Sequence, residues 1–253
     1  MDILVCVKRV PMVGGTVVLT ADGQEVDTRT SGFTVSPHEE CAVEEAVRIT
    51  ERDGGTVTVL TLGPAEAAAQ LRDMLALGAH RGILLETDGR EWGPIATAAA
   101  IAQTVAGHGA DPFPLIFCGN EAADTGGYQV GIRLAHALGR PCVTGIKRLE
   151  LTGAQLRAGR DRAGAEEVFE LELPAVVSVR EGINLPRYPS LPGRLRAKKA
   201  EITVLRPQWQ PDGVRKERLR VPQAPRQRAE ILGHGTAAVP ELVRVLADLG
   251  VLP

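Results

Sequence analysis

Aromatic residues make up only 3% of this 253-residue chain, too few for the stacking platforms on which single-stranded nucleic acids bind. Charge of one sign is not in excess either. Against 29 Lys and Arg stand 31 Asp and Glu, and a net charge of −2 argues against a general nucleic-acid binder. No apolar run approaches the roughly 18 residues that a membrane-spanning helix needs. The first residues carry no signal-peptide pattern, so the expectation is no membrane insertion and a cytoplasmic location. The four cysteines, Cys6, Cys41, Cys118 and Cys142, lie far apart without a Cys-x-x-Cys spacing and read as reduced core residues. The five histidines are scattered too, none at a ligand spacing from another His or Cys, so no metal site is expected. What is present is 44% apolar and 24% charged, the balance of a soluble globular protein with one large core and room for a smaller appendage.

Apolar strands alternate with helical patterns through the first 140 or so residues. Residues 2–8 read as a strand, and 16–20 with 24–28 as a small hairpin turned by Ala21-Asp22-Gly23. Ser36-Pro37-His38-Glu39 opens a helix as a capping box, with serine as N-cap, proline first and glutamate third. Thr56–Leu62 reads as a strand buried on both faces. Gly63-Pro64 opens a helix that Gly78 closes, Ile83–Leu85 is a strand, Pro94–Ala106 a helix, Leu115–Cys118 a strand and Gln129–Leu138 a helix. Such alternation implies an α/β fold, an open, mostly parallel, doubly wound sheet. After Pro141, Lys147–Leu151, Leu156–Arg160 and Glu166–Leu171 read as a small antiparallel extension, followed by strands at Ala175–Val179 and Ile202–Leu205.

The expected organisation is a nucleotide-binding α/β domain over 1–205 and a C-terminal arm over 206–253. The stretch 206–236, rich in Pro, Gln and Arg, has too few apolar groups to fold alone. It either lies against a partner chain, with a short amphipathic helix at Val239–Leu249, or stays disordered.

The most informative stretch is Leu115-Ile-Phe-Cys-Gly-Asn-Glu-Ala-Ala-Asp-Thr-Gly-Gly-Tyr-Gln-Val-Gly131. A strand ends in glycine, a polar loop carries an acid and a glycine pair, and a helix follows. Glycines let a backbone approach a ligand closely, and the helix start offers unpaired N–H groups to phosphate. An ordinary strand-to-helix turn has the same outline. No lysine lies in the loop, so it is not a loop that activates a γ-phosphate, and binding without hydrolysis is expected.

Several independent segments together resemble the β subunit of electron transfer flavoprotein, with mycofactocin-associated β subunits as one similar subgroup. They are Val7-Lys8-Arg9-Val10, Ser36-Pro37 ahead of Ala42–Arg48, Leu75–Ile83, Gly119-x-x-Ala122-x-Asp124 with Gln129-x-Gly131, Leu173–Val177, and Pro186-Arg-Tyr-Pro-Ser-Leu-Pro192 before Ala197-Lys-Lys199. The resemblance runs from residue 2 to about 206. It implies an adenine-nucleotide-hydrolase-like fold and a heterodimer with an α subunit that holds most of a redox-active FAD. It also implies a structural AMP in this chain, or a second FAD in the electron-bifurcating branch. The implied partners are flavin-dependent dehydrogenases as donors and a quinone reductase or other acceptor, and no side chain is expected to make or break bonds.

Carried over residue by residue, the family's adenylate contacts fall on Cys6, on Ser36, Pro37, His38 and Glu39, on Leu62, and on the loop: Asp124, Thr125, Gly126, Gly127, Tyr128, Gln129, Val130, Gly131 and Ile132. The capping box by itself accounts for Ser36, Pro37 and Glu39, and Asp124 either accepts from a ribose or forms an Asx turn. His38 stands where relatives have an aromatic. Gly126 and Gly127 replace an acid and a threonine usual in bifurcating relatives, and Val13 replaces a tyrosine that lies beside the flavin in many carriers. Residues 184–200 resemble the loop that docks dehydrogenases, with Tyr188, Leu191 and Pro192 in the docking positions. Leu191 is the expected anchor, held extended by its flanking prolines or else folded onto its own domain. A non-redox adenine-nucleotide sensor is the reading from a different class.

Overall fold

The structure, a computed structural model, describes the chain except positions 13, 15, 16, 30, 110, 111, 212, 214, 215, 223–229 and 253. The expectation for Val13 lies outside the described residues, as does the start of the 16–20 strand. Two units are distinct, Met1–Leu219 and Arg220–Pro253.

In the first unit the chain begins with β1 (Asp2–Cys6), β2 (Arg9–Pro11) and β3 (Phe33–Val35), then α1 (Pro37–Asp53) and β4 (Thr56–Gly63). A single 3-10 turn leads into α2 (Ala68–Leu77), followed by β5 (Arg81–Glu86), α3 (Pro94–Gly107), β6 (Leu115–Gly119) and α4 (Val130–Leu138). Then come β7 (Cys142–Ile146), the three strands β8 (Arg148–Thr152), β9 (Gln155–Arg162) and β10 (Ala165–Glu172), β11 (Ala175–Val179), α5 (Leu191–Lys199) and β12 (Ile202–Leu205). The second unit holds α6 (Val239–Asp248).

Seven strands form one parallel sheet in the order β12-β5-β4-β1-β6-β11-β7. The doubly wound α/β fold expected from the alternation is therefore present. The central strands are short β-branched and aliphatic runs because both of their faces are covered. On one face Ile3, Val5, Val57, Val59 and Phe117 meet α1 and α2; on the other Leu4, Leu60, Ile83 and Ile116 meet α3 and α4. β8, β9 and β10 form the antiparallel extension in a separate sheet.

The chain adds β4 and β5 on one side of β1, then crosses back to place β6 on the other. Strand order thus reverses between β1 and β6. The connections leaving their carboxyl ends diverge to opposite faces and leave a crevice between them.

Four local features differ from the sequence reading. Cys142–Ile146, not expected as a strand, is the sheet's edge; its left-handed Gly145 (φ 71°) and short length hide the pattern. Around the expected hairpin, Thr20 N–H bonds Glu25 O at 2.9 Å and Asp27 N–H bonds Val18 O at 2.8 Å, yet the regular pairing is between β2 and β3. The helix expected from Gly63-Pro64 starts as a 3-10 turn over Ala65–Ala67. Lastly, Leu191 is not held in an extended stretch: it is the first residue of α5. Ser190 caps that helix by accepting the Gly193 N–H at 3.1 Å, and Pro192 falls in the first turn, where the missing N–H costs nothing.

Beyond β12 the described residues up to Leu219 remain with the first unit. Arg206 bonds Glu86 at 2.9 Å, Lys216 bonds Glu91 at 2.9 Å, and Leu219 N–H bonds Gly23 O at 2.7 Å. In the second unit α6 is amphipathic, with Val239, Leu242 and Val243 all exposed.

Gly131 lets α4 close onto the sheet, since a Cβ there would stand 2.5 Å from Ser178 Oγ and 3.5 Å from Cys118 Cβ. Gly131→Ala is expected to lose about 1–3 kcal/mol of unfolding free energy through overpacking, read by urea denaturation.

Candidate functional site

The crevice is built from three segments. The first is the end of β1, where the chain runs through Val7 to Lys8. The second is the start of α1. The carboxylate of Glu39 accepts the Ser36 N–H at 3.4 Å, and Ser36 and Glu39 together form the expected capping box. The Ser36 hydroxyl also donates to the carbonyl of Glu121 at 3.3 Å, which ties α1 to the loop after β6. The third is that loop. Gly126 (φ 54°) and Tyr128 (φ 54°) are both left-handed, a conformation that non-glycine residues hold only where their surroundings enforce it.

Lys8 connects all three. Its backbone N–H donates to Glu39 Oε2 at 3.0 Å, and its ammonium donates to both Asp124 oxygens at 2.8 Å and to Thr125 Oγ1 at 3.5 Å. Lys8 was not among the site residues read from the sequence. Its one signal there is its place two residues past the first strand, in Val7-Lys8-Arg9. Glu121 is a second addition: besides its carbonyl bond to Ser36, its carboxylate lies 3.7 Å from His38 Nε2 and raises the phenol of Tyr128 by hydrogen bonding.

Glu39 is buried, 5% exposed. A Cβ on Gly119 would lie 2.6 Å from Glu39 Cγ, so the glycine ending β6 is what admits this side chain. Burial pushes the carboxyl up to about 8, against the opposing pull of the Lys8 and Ser36 N–H groups and the Lys8 charge; Asp124 adds to the rise. Burial thus favours the neutral acid in Glu39, while Lys8 and Asp124 form an ion pair at the more exposed rim. The Nδ1 of His38 is buried without a partner.

The structure thus brings together Ser36, His38, Glu39, Asp124, Thr125 and Tyr128, with Pro37 exposed at the helix start. Gly127 has nothing within 4 Å of a Cβ position, and Gly126 only the Tyr128 ring at 4.0 Å, leaving their side open. Cys6 and Leu62 face the α3 and α4 side of the sheet. The Cys118 thiol is held well above its ordinary range by its hydrogen bond with Cys6 and by burial. Val130, Gly131 and Ile132 belong to α4, and Gln129 is its N-cap. Gln129 accepts from Arg133 at 2.8 Å, and Gln129 and Ile132 line a cavity of about 460 Å3 between α3 and α4 rather than the crevice.

The 184–200 segment lies elsewhere, along α1 and α2. Arg187 donates to Glu44 at 2.8 Å and to Glu51 at 2.6 Å, and Asn184 to the Cys41 carbonyl at 3.0 Å. Arg72 donates to the carbonyls of Ala197 at 2.6 Å and Ala200 at 3.1 Å, and Gly193 lets α5 lie against α2, its Cβ position being 2.6 Å from Ala76 O. On this firm base Tyr188 is 95% and Leu191 72% exposed, and Pro192 is exposed too. A cavity of about 600 Å3, lined by Val47, Leu75, His80 and Arg187 among others, lies beneath.

An open parallel sheet with a helix start and a glycine loop meeting at its switch point places the chain in the class of doubly wound α/β proteins. Comparison with known proteins is more specific. The electron transfer flavoprotein domain matches residues 25–208. "Electron transfer flavoprotein subunit beta" of Bacillus subtilis (strain 168) is 39% identical over 174 residues, 68% of this chain and 67% of that protein. The proteins of the same name from Mycobacterium tuberculosis (34% over 210 residues, 81% of this chain and 78% of that one) and Bradyrhizobium diazoefficiens (36% over 203 residues, 80% of each) are similar over a longer span. The chain belongs to the electron transfer flavoprotein family, with subunit beta as its relatives. Among the described residues no helix is long and apolar enough to cross a membrane, and no cluster of three His, Cys, Asp or Glu is placed to hold a metal ion.

Two predictions test this geometry. In wild type the unfolding free energy should fall as pH rises from near 4.5 through about 8, because folded Glu39 keeps a proton that the unfolded chain releases, and then level off. Glu39→Gln removes that slope, so its advantage over wild type widens across the interval in urea titrations. Arg187→Ala leaves the buried Glu44 carboxylate with Arg48 as its remaining ion-pair partner and should cost about 1–3 kcal/mol, while amide exchange across 184–190 accelerates.

Proposed function

We propose that this chain is the β subunit of a heterodimeric electron carrier, and that its switch-point crevice holds AMP in a structural role. FAD, held mainly by the α subunit, supplies the redox chemistry; this chain contributes assembly, a nucleotide site and a docking surface. Electrons enter from flavin-dependent dehydrogenases and leave to a quinone reductase or another acceptor, in the cytoplasm.

The observation that carries the reading is the convergence of Lys8, Ser36 to Glu39 and Asp124 to Thr125 at the reversal of strand order between β1 and β6. The groups there fit an adenylate. His38 Nδ1 is a buried polar atom lacking a partner, suited to a base or ribose edge. The loop N–H groups from Gly127 onward suit phosphate oxygens, that of Gly126 being donated to the Ala122 carbonyl at 2.9 Å, and the Lys8 ammonium offsets the charge of Asp124 beside them. Nothing in this arrangement activates a γ-phosphate, so binding proceeds without turnover. Tyr188, Leu191 and Pro192, presented on a rigid base, suit an apolar pocket on a dehydrogenase, and the exposed apolar face of α6 suits the α subunit.

Acid release of nucleotides from the purified heterodimer tests the reading: one FAD and one AMP are expected, whereas two FAD would assign the bifurcating role and no nucleotide beyond the α-subunit FAD would remove the site. Gly127→Val has open space and should leave the thermal midpoint of the chain unchanged while AMP content falls well below one per heterodimer. Leu191→Ala should slow reduction by the donor dehydrogenase about tenfold, roughly 1.4 kcal/mol of docking energy, with flavin content intact.

A further inference from the structure

Glu39 is an unusual wall for an anion site. It is a carboxyl, 5% exposed, with no cationic side chain bonded to it: the nearest, Lys8, spends its ammonium on Asp124. Both its hydrogen bonds, from the Lys8 and Ser36 N–H groups, arrive at Oε2. Oε1 has no hydrogen-bond partner among the described residues. Apart from the two N–H groups and the more distant Lys8 ammonium, the groups packed around it do not compensate a negative charge. β1 brings Cys6 and the Lys8 amide. The end of β6 brings Cys118 and Gly119, the start of α1 brings Ser36 and, beside Gly119, His38, and the loop brings Asp124.

Resting on the adenylate reading above, we propose that Glu39 binds the nucleotide as a neutral acid, its Oε1–H donating to an acceptor atom of the adenylate, so that nucleotide affinity is linked to one proton on this side chain. Oε2 is already an acceptor twice over, so the proton resides on Oε1, the oxygen left without a partner. A donor facing the crevice suits a ring nitrogen, ribose oxygen or phosphate oxygen. An ionised Glu39 would instead present an unpaired buried negative charge near Asp124 and repel the phosphate. Burial, which pushes the carboxyl up to about 8, puts the transition inside the accessible range. The linkage has a definite sign: the competent form exists below that value and is lost above it.

The test is equilibrium binding of AMP to the full-length chain, alone or assembled with its partner, between about pH 7 and 9.5, where the AMP phosphate (second pKa about 6) stays a dianion. Wild-type Kd is expected to rise about tenfold per pH unit above about 8, with close to one proton taken up per AMP near pH 9 and close to none near pH 7 by calorimetry in buffers of different ionisation enthalpy. Glu39→Gln, whose amide N–H2 replaces the acid as donor, should bind AMP with a Kd changing less than about twofold over the same range. A pH-independent wild-type Kd without proton uptake, or the same pH dependence in Glu39→Gln, overturns the inference while leaving the nucleotide site standing. Failure of wild type to bind AMP at every pH overturns the nucleotide reading and this inference with it.

Discussion

Reversal of strand order between β1 and β6 is the constraint from which the rest of the site follows. The segments leaving these neighbouring strands are sent to opposite faces of the sheet, so the carboxyl ends of β1 and β6 are left uncovered between them. Backbone donors collect there because a helix must start with unpaired N–H groups and because the loop after β6 turns through left-handed residues. The gap is bridged by a single residue past the end of β1: the Lys8 backbone N–H fixes Glu39 on one wall, and its ammonium fixes Asp124 on the other.

Charge is distributed across that bridge in layers. At the rim, where water screens it, an ion pair is tolerated at little cost. At the floor, where screening fails, the carboxyl of Glu39 is kept neutral by burial. The two acids differ in state because one has a cation and solvent while the other has two amides and none. Sequence proximity to a helix start alone would have predicted an ionised Glu39, since acids at helix N-termini are ordinarily stabilised there.

Much of this was legible in the residues. The capping box at Ser36 and Glu39 was readable because its spacing is local, and the alternating strands and helices because burial on both faces leaves β-branched runs. The loop from Gly119 to Gly131 was readable because its glycines break that alternation. What escaped reading is non-local or disguised. Lys8 meets Asp124 across 116 positions, and no pattern marks the pair. Gly131, carried over as a ligand contact, is placed against Ser178, a packing role that only the sheet order reveals. The helix α5 hid behind prolines that are harmless in a first turn, and the edge strand β7 behind its left-handed Gly145.

The 17-residue α1 joins the two regions that matter most. Its first turn forms a wall of the crevice, while Glu44 in its middle and Glu51 near its end hold Arg187 and with it the platform of Tyr188 and Leu191. A helix of this length spans about 25 Å at 1.5 Å per residue and does not stretch. It acts as a ruler: the distance from whatever sits in the crevice to whatever grips the platform is set by counting turns, and slipping the Arg187 clamp by one turn would miss by about 5.4 Å.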